Sequence, residues 1–219
     1  MADSDSRAGE RYANLEILDY AGATHHPHDA GLQQAFDAPD AHGIPAIQLG
    51  TAEGRTLELL LRLIGAERVV EIGTLAGYSA LCMARALPPG GRLWTLEADP
   101  AHAEIARNNI AAAGYDDRVE VLEGAASDML PKLSDSGPFC AVFIDADKSN
   151  YDHYGRWAAA HLRPGGLLIG DNAYFFGRLL EDDETAAAMR RFHEEMAQHF
   201  LSVVVPTPDG LAVGLRLDS

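Results

Sequence analysis

The chain has 219 residues, 47% of them hydrophobic and 23% charged, which fits one globular domain with its own core and excludes a chain that is disordered throughout. Seventeen Lys and Arg stand against thirty-three Asp and Glu, a formal net charge of −16, so the mean surface field repels phosphate backbones and anionic headgroups and argues against nucleic-acid and membrane partners. The N-terminus MADSDSRAGE is polar, no run approaches the ~18 apolar residues of a span, and Cys82 and Cys140 sit in apolar segments as buried small hydrophobes, so the expected location is the cytoplasm.

The first ten residues read as a flexible tail, followed by an arm that runs to Leu49. Within it LEILDYA predicts a short helix, whereas THHPHDAGLQQAFDAPDAHGIP holds too much Pro, Gly, Asp and His for a long regular element. His25, His26 and His28 read as a solvated loop, because no Cys or carboxylate spacing completes a tetrahedral metal set. From Thr51 the pattern becomes regular. TAEGRTLELLLRLIG predicts a helix capped by Thr51, with Leu57, Leu60, Leu61 and Ile64 on its apolar face and Gly65 past its end.

Strand-like runs then alternate with helical stretches: 68–72, 92–97, 119–122, 140–145 and 166–171. In the helix after the second run, Asp99 can cap, Pro100 suits the first turn and Gly114 ends the element. A last helix spans 183–199, and LSVVVP and LAVGLRL flank Thr207-Pro208-Asp209-Gly210 as an antiparallel hairpin. Short strands joined by helices give a parallel, doubly wound α/β sheet, whose ligands bind beyond the carboxyl ends of the strands.

The first strand runs into Glu71-Ile72-Gly73-Thr74-Leu75-Ala76-Gly77-Tyr78-Ser79. A dinucleotide fingerprint needs a glycine at position 75, and Leu75 stands there, which disfavours a pyrophosphate and favours a smaller ligand bearing a carboxylate. Glu97 ends the second strand, 24 residues after Gly73, where a carboxylate can accept from a ribose diol. Ribose plus carboxylate without pyrophosphate describes S-adenosylmethionine (SAM). Gly124, Ala125, Ala126 and Ser127 follow the third strand, small enough to lie against a flat base.

Asp145 ends the fourth strand and Asp171-Asn172 the fifth. If these strands are parallel neighbours, two carboxylates and an amide oxygen meet at one edge, about 5 Å between strand axes, as a site for a hard cation such as Mg²⁺. Lys148, three residues after Asp145, can serve there as a general base or form an ion pair with Asp145 or Asp147.

Together VVEIGTLAGYSAL, the acid of LWTLEADP, EGAASDMLPKL, FIDADKSNY and LIGDNAYFFGR resemble the cation-dependent class I O-methyltransferases of the catechol and caffeoyl-coenzyme A type, from about Ile47 onward. The resemblance implies a Rossmann-like seven-stranded fold, a catalytic domain at 50–219 and an arm at 1–49 covering the active site or a dimer interface. It implies that Ser79 and backbone near Leu49 and Gly73 hold the SAM carboxylate, Glu97 the ribose, and Gly124, Ala125 and Ala126 the adenine. Glu71 and Asp145 complete the cofactor set, Asp145, Asp171 and Asn172 hold the cation, and Lys148 with Asp145 carries catalysis. The acceptor implied is a vicinal diphenol and the assembly a homodimer. Two departures bear on the acceptor: Leu75 replaces the family's aromatic or Thr, and Tyr174-Phe175-Phe176 replaces a frequent Trp.

A coenzyme A-linked hydroxycinnamoyl ester is the alternative acceptor, though its phosphates would meet an acidic surface. A non-catalytic SAM-binding module is a further alternative, against which stands the presence of Lys148 and all three cation-ligand positions. A metal-free methyltransferase would not need the Asp171-Asn172 pair, and a nicotinamide oxidoreductase would need the second fingerprint glycine.

Overall fold

The computed structural model describes residues 13–217; the tail expected for the first ten residues lies outside them. Helix α1 (Leu15–His25) begins where the Asn14 side chain accepts from the Ile17 N–H, and it buries none of its side chains. The stretch expected to be irregular instead forms α2 (Ala30–His42). Asp29 caps it by accepting from the Leu32 N–H, and Gly43 closes it in the left-handed conformation. Pro39 inside this helix forfeits a backbone hydrogen bond, a cost of about 3 kcal/mol in a free helix. Burial of Leu32, Ala35, Ala38 and Pro39 offsets that cost, which composition alone does not reveal.

In α3 (Thr51–Leu63) the cap is Gly50, not Thr51. Glu53 reaches back to accept from the Gly50 N–H at 3.0 Å, so an acid in the first turn does what the threonine was expected to do. Strands β1 (Arg68–Ile72) and β2 (Arg92–Glu97) fall where the sequence places them. Between them lies α4 (Tyr78–Ala84). Helix α5 (Pro100–Ala112) starts with Asp99 accepting from the Ala101 and His102 N–H groups. Then come β3 (Val119–Glu123), α6 (Ala126–Leu133), β4 (Phe139–Ile144), α7 (Tyr151–His161) and β5 (Leu162–Gly170). Strand β5 starts earlier than the expected 166 because the segment Arg163-Pro164-Gly165-Gly166 forms a bulge within it: the register passes from Phe139↔Leu162 to Ala141↔Leu167. Helix α8 (Glu184–His199), capped by Asp183, leads to β6 (Phe200–Val205) and β7 (Leu211–Arg216).

The seven strands are ordered β3-β2-β1-β4-β5-β7-β6, five of them parallel, with β7 antiparallel to both β5 and β6. Alternation along each strand divides the core between two faces. Val69, Leu93, Ala141 and Phe143 pack with α3, α4 and α5, and Val70, Leu96, Val142 and Ile144 pack with α7 and α8. Leu32 and Ala35 of α2 join the first of these clusters. Strand order reverses between β1 and β4, which opens a crevice at their carboxyl ends. Cys82 and Cys140 are buried and unpaired, and burial pushes the Cys82 thiol up to about 12.

Candidate active site

The backbone ladder extends one residue beyond four of the five parallel strands, which aligns the loops. The Gly73 N–H donates to Leu96 O, Gly124 to Glu97 O, Asp145 to Ile72 O and Asp171 to Ile144 O, all at 2.8–2.9 Å. Pairing of Ile144 with Gly170 therefore puts Asp145 and Asp171 at adjacent strand ends. Gly73 has φ +98°, and a Cβ there would lie 1.9 Å from the Asp145 carbonyl oxygen. The glycine is thus required where the β1 and β4 loops cross.

These loops enclose a cavity of about 750 Å³, within the range of small-molecule sites. Its wall carries Gly73, Ser79 and Glu97 on one side and Gly124, Ala125 and Ala126 beside them. Leu49 contributes from the arm, and Asp145, Lys148 and Asn172 also line the cavity. Glu71 and Asp171, also expected in the site, lie beneath the wall, with 0% and 7% exposure.

Glu97 does more than face the cavity. Its Oε2 accepts from the Thr74 N–H (3.2 Å) and the Leu75 N–H (2.8 Å), and its Oε1 accepts from the Asp99 N–H (2.9 Å). Leu75 is held at φ +51°, a strained conformation for a branched residue, so the acid at the end of β2 shapes the glycine loop. Below the loop runs a buried polar chain: Thr74 and Thr95 hydroxyls 2.5 Å apart, Thr95 donating to Glu71 Oε2 and Ser79 to Glu71 Oε1, each at 2.5 Å.

Burial pushes the Glu71 carboxyl up to about 8, opposed by the Ser79 and Thr95 hydrogen bonds and assisted by the Asp145 and Glu97 charges. A raised acid keeps its proton in the folded state where the unfolded chain loses it. The destabilisation is absent below the ordinary 4.5, grows from there to about 8 at ~1.4 kcal/mol per pH unit, and is constant above. Thermal unfolding from pH 5 to 9 should therefore show a falling Tm in the parent and a smaller fall in Glu71→Gln. Parallel profiles would mean that Glu71 is ionised in the folded state.

At the other end of the cavity, Lys148 forms the ion pair with Asp145 rather than Asp147, Nζ to Oδ1 at 3.2 Å. Asp147 instead accepts from Tyr154 Oη (2.6 Å), Asn150 (2.5 Å) and Ser149 (3.0 Å). The Lys148 ammonium also donates to Tyr151 Oη at 2.7 Å. Burial first and the Asp145 charge second push the Asp171 carboxyl up to about 7. Among the described residues no three His, Cys, Asp or Glu side chains form a metal cluster, so a cation here would have to be held by two acids, the Asn172 amide and oxygens from solvent or substrate. That donor set suits a hard divalent cation with an open coordination shell.

The loop after β5 is strained. Asn172, Phe175 and Phe176 have φ between +51° and +53°, and the β6–β7 turn holds them. Asp209 O accepts from the Tyr174 N–H and Asp209 Oδ1 from the Phe176 N–H, each at 2.9 Å. Phe176 is 64% exposed at the cavity rim, whereas Phe175 is buried.

Several of these residues carried no signal in the sequence. Tyr151 and Thr95 stand inside the quoted motifs without an assigned role, Tyr154 is not singled out, and Asp209 is read as part of a hairpin turn. His28 is not a solvated loop residue: its Nε2 lies 2.9 Å from Tyr78 Oη, and its ring packs on Phe36 and Tyr78. Gln34 of the arm donates to Asn109, which in turn donates to Ala76 O in the glycine loop, so the arm braces that loop.

A doubly wound sheet with an acid-held glycine loop, and paired acids and a lysine at the same edge, defines a class I methyltransferase architecture. The chain belongs to the O-methyltransferase family, whose profile matches residues 26–217, and it is a SAM-dependent O-methyltransferase. It is 46% identical over 173 residues to a catechol O-methyltransferase of Mycobacterium tuberculosis, covering 78% of each chain. It is 44% identical over 170 residues to one of Niastella koreensis, covering 75% of this chain and 77% of that one. The structure of a Bacillus cereus O-methyltransferase in complex with SAH superposes with a TM-score of 0.87 at 36% identity, covering 92% of this chain and 97% of that one.

Proposed function

We propose that the protein methylates one hydroxyl of a vicinal diphenol in a cation-dependent reaction. The observation that carries this reading is the pairing of Lys148 with Asp145 at the cavity wall, with Asp171 and Asn172 at the neighbouring strand end. Asp145, Asp171 and Asn172 would hold a divalent cation such as Mg²⁺, which would supply Lewis acidity to the acceptor. Ser79, with the backbone at Leu49 and Gly73, holds the SAM carboxylate, Glu97 holds the ribose diol, and Gly124, Ala125 and Ala126 flank the adenine. Lys148 Nζ, as the neutral amine, takes the proton of the acceptor hydroxyl; the hydroxyl oxygen forms the new bond to the methyl carbon as the methyl–sulfur bond of SAM breaks, and S-adenosylhomocysteine leaves.

The names of the two catechol O-methyltransferase relatives support the acceptor class. The cavity wall supports it too: its acids Glu97, Asp145 and Asp147 face only Lys148 and His102, a poor setting for the phosphates of a coenzyme A ester. The reading includes a homodimer, supported by the exposed Leu15, Ile17, Leu18 and Tyr20 of α1, and a cytoplasmic location, supported by two buried free cysteines. Incubation with labelled SAM and Mg²⁺ should transfer label to simple catechols, and more slowly to caffeoyl-coenzyme A. Label on the ester alone would replace the acceptor class, and SAM binding without transfer to any diphenol would mark a binding module.

A further inference from the structure

We propose that Tyr151 is a positioning residue for Lys148, taking one of its N–H groups so that the remaining Nζ position points into the acceptor cavity. The inference rests on the reading of Lys148 as the group that takes the acceptor proton. Tyr151 opens α7 and is fully buried. Its Oη lies 3.0 Å from Ile144 O and 2.9 Å from Asp171 O, the carbonyls at the ends of the two strands that bear the paired acids. Carbonyl oxygens only accept, so the single phenol hydrogen is committed between them. The phenol therefore meets Lys148 as an acceptor, at 2.7 Å.

The second partner of Lys148, Asp145 Oδ1 at 3.2 Å, is an acceptor as well. Two acceptor-only partners claim two of the three Nζ positions outside the Cε bond. In the neutral amine the lone pair is left with the third, and Lys148 lines the cavity. Asp145 is shared with the cation in the proposed reaction, which leaves Tyr151 as the partner that belongs to Lys148 alone.

The chain has two lysines, Lys132 and Lys148, and Lys132 is exposed with only a 3.7 Å contact to Met129 Sδ. Protein carrying ¹³C at the lysine ε-carbon thus gives two resonances, assigned with Lys132→Arg. Without any ligand, the two Hε protons of Lys148 should be inequivalent and those of Lys132 degenerate, and in Tyr151→Phe those of Lys148 should merge. Turnover should fall about 10- to 100-fold in Tyr151→Phe, with SAM affinity and acceptor KM unchanged. Lys148→Met should lose about 10²- to 10⁴-fold, and adding Tyr151→Phe to it should cost nothing more. Degenerate Lys148 protons in the parent protein, or losses that multiply in the double variant, would overturn the positioning role while leaving Lys148 as the base. Full turnover in Lys148→Met would remove the base and this proposal with it. Should Tyr151→Phe fail to fold, the spectrum of the parent protein decides.

Discussion

Chelation with EDTA should abolish methyl transfer by this protein, and Mg²⁺ should restore it. The basis is electrostatic. Parallel pairing of β4 with β5 forces Asp145 and Asp171 to adjacent positions, and burial with the Asp145 charge drives the Asp171 carboxyl up to about 7. The Lys148 ammonium offsets part of this repulsion through Asp145, but no basic side chain is hydrogen-bonded to Asp171 among the described residues. Two half-compensated acids beside an amide oxygen are a poor way to stabilise a fold and a good way to hold a cation. Asp171→Ala should lower turnover by about 10³-fold, the several kcal/mol that Lewis-acid stabilisation contributes. SAM affinity by calorimetry should stay within about threefold, because Asp171 lies beneath the cavity wall rather than in it. Full activity in EDTA would sink the cation reading, and loss of SAM affinity in Asp171→Ala would show that the residue supports the fold of the site instead.

Glu97→Ala should weaken SAM binding beyond the loss of one ligand contact. Charge-assisted hydrogen bonds to a ribose diol contribute ~1.5–3 kcal/mol, about 10- to 150-fold in affinity. The same carboxylate also accepts from the Thr74, Leu75 and Asp99 N–H groups. Removing it leaves three donors without their partner and releases a loop in which Leu75 is held at positive φ. The alanine variant should therefore lose at least the upper end of that range, while Glu97→Gln, which keeps one acceptor oxygen, should lose less. Calorimetry with SAM separates the two, and unchanged affinity in both variants would mean that the ribose binds elsewhere.

Local rules determined much of this molecule. The alternation of short apolar runs with capped helices specifies a parallel sheet, because strand period, Asp99-Pro100 and the Thr207–Gly210 turn act within a few residues of chain. Strand ends also fall at identifiable places, so Gly73, Glu97, Asp145 and Asp171 are recognisable as loop residues at one edge. Tertiary structure decided what those residues touch. Helix α2 exists because Leu32 and Ala35 find a core that lies far along the chain, which outweighs an internal proline. Glu71 stands two residues from Gly73, yet it is buried beneath the cavity wall, where its oxygens accept from the Ser79 and Thr95 hydroxyls. Tyr151 meets Lys148, Ile144 and Asp171 only because β4 and β5 lie side by side. Hydrogen bonds between distant segments depend on distances that no local pattern encodes. The sequence therefore named the carboxylates and the lysine, and the fold alone selected their partners.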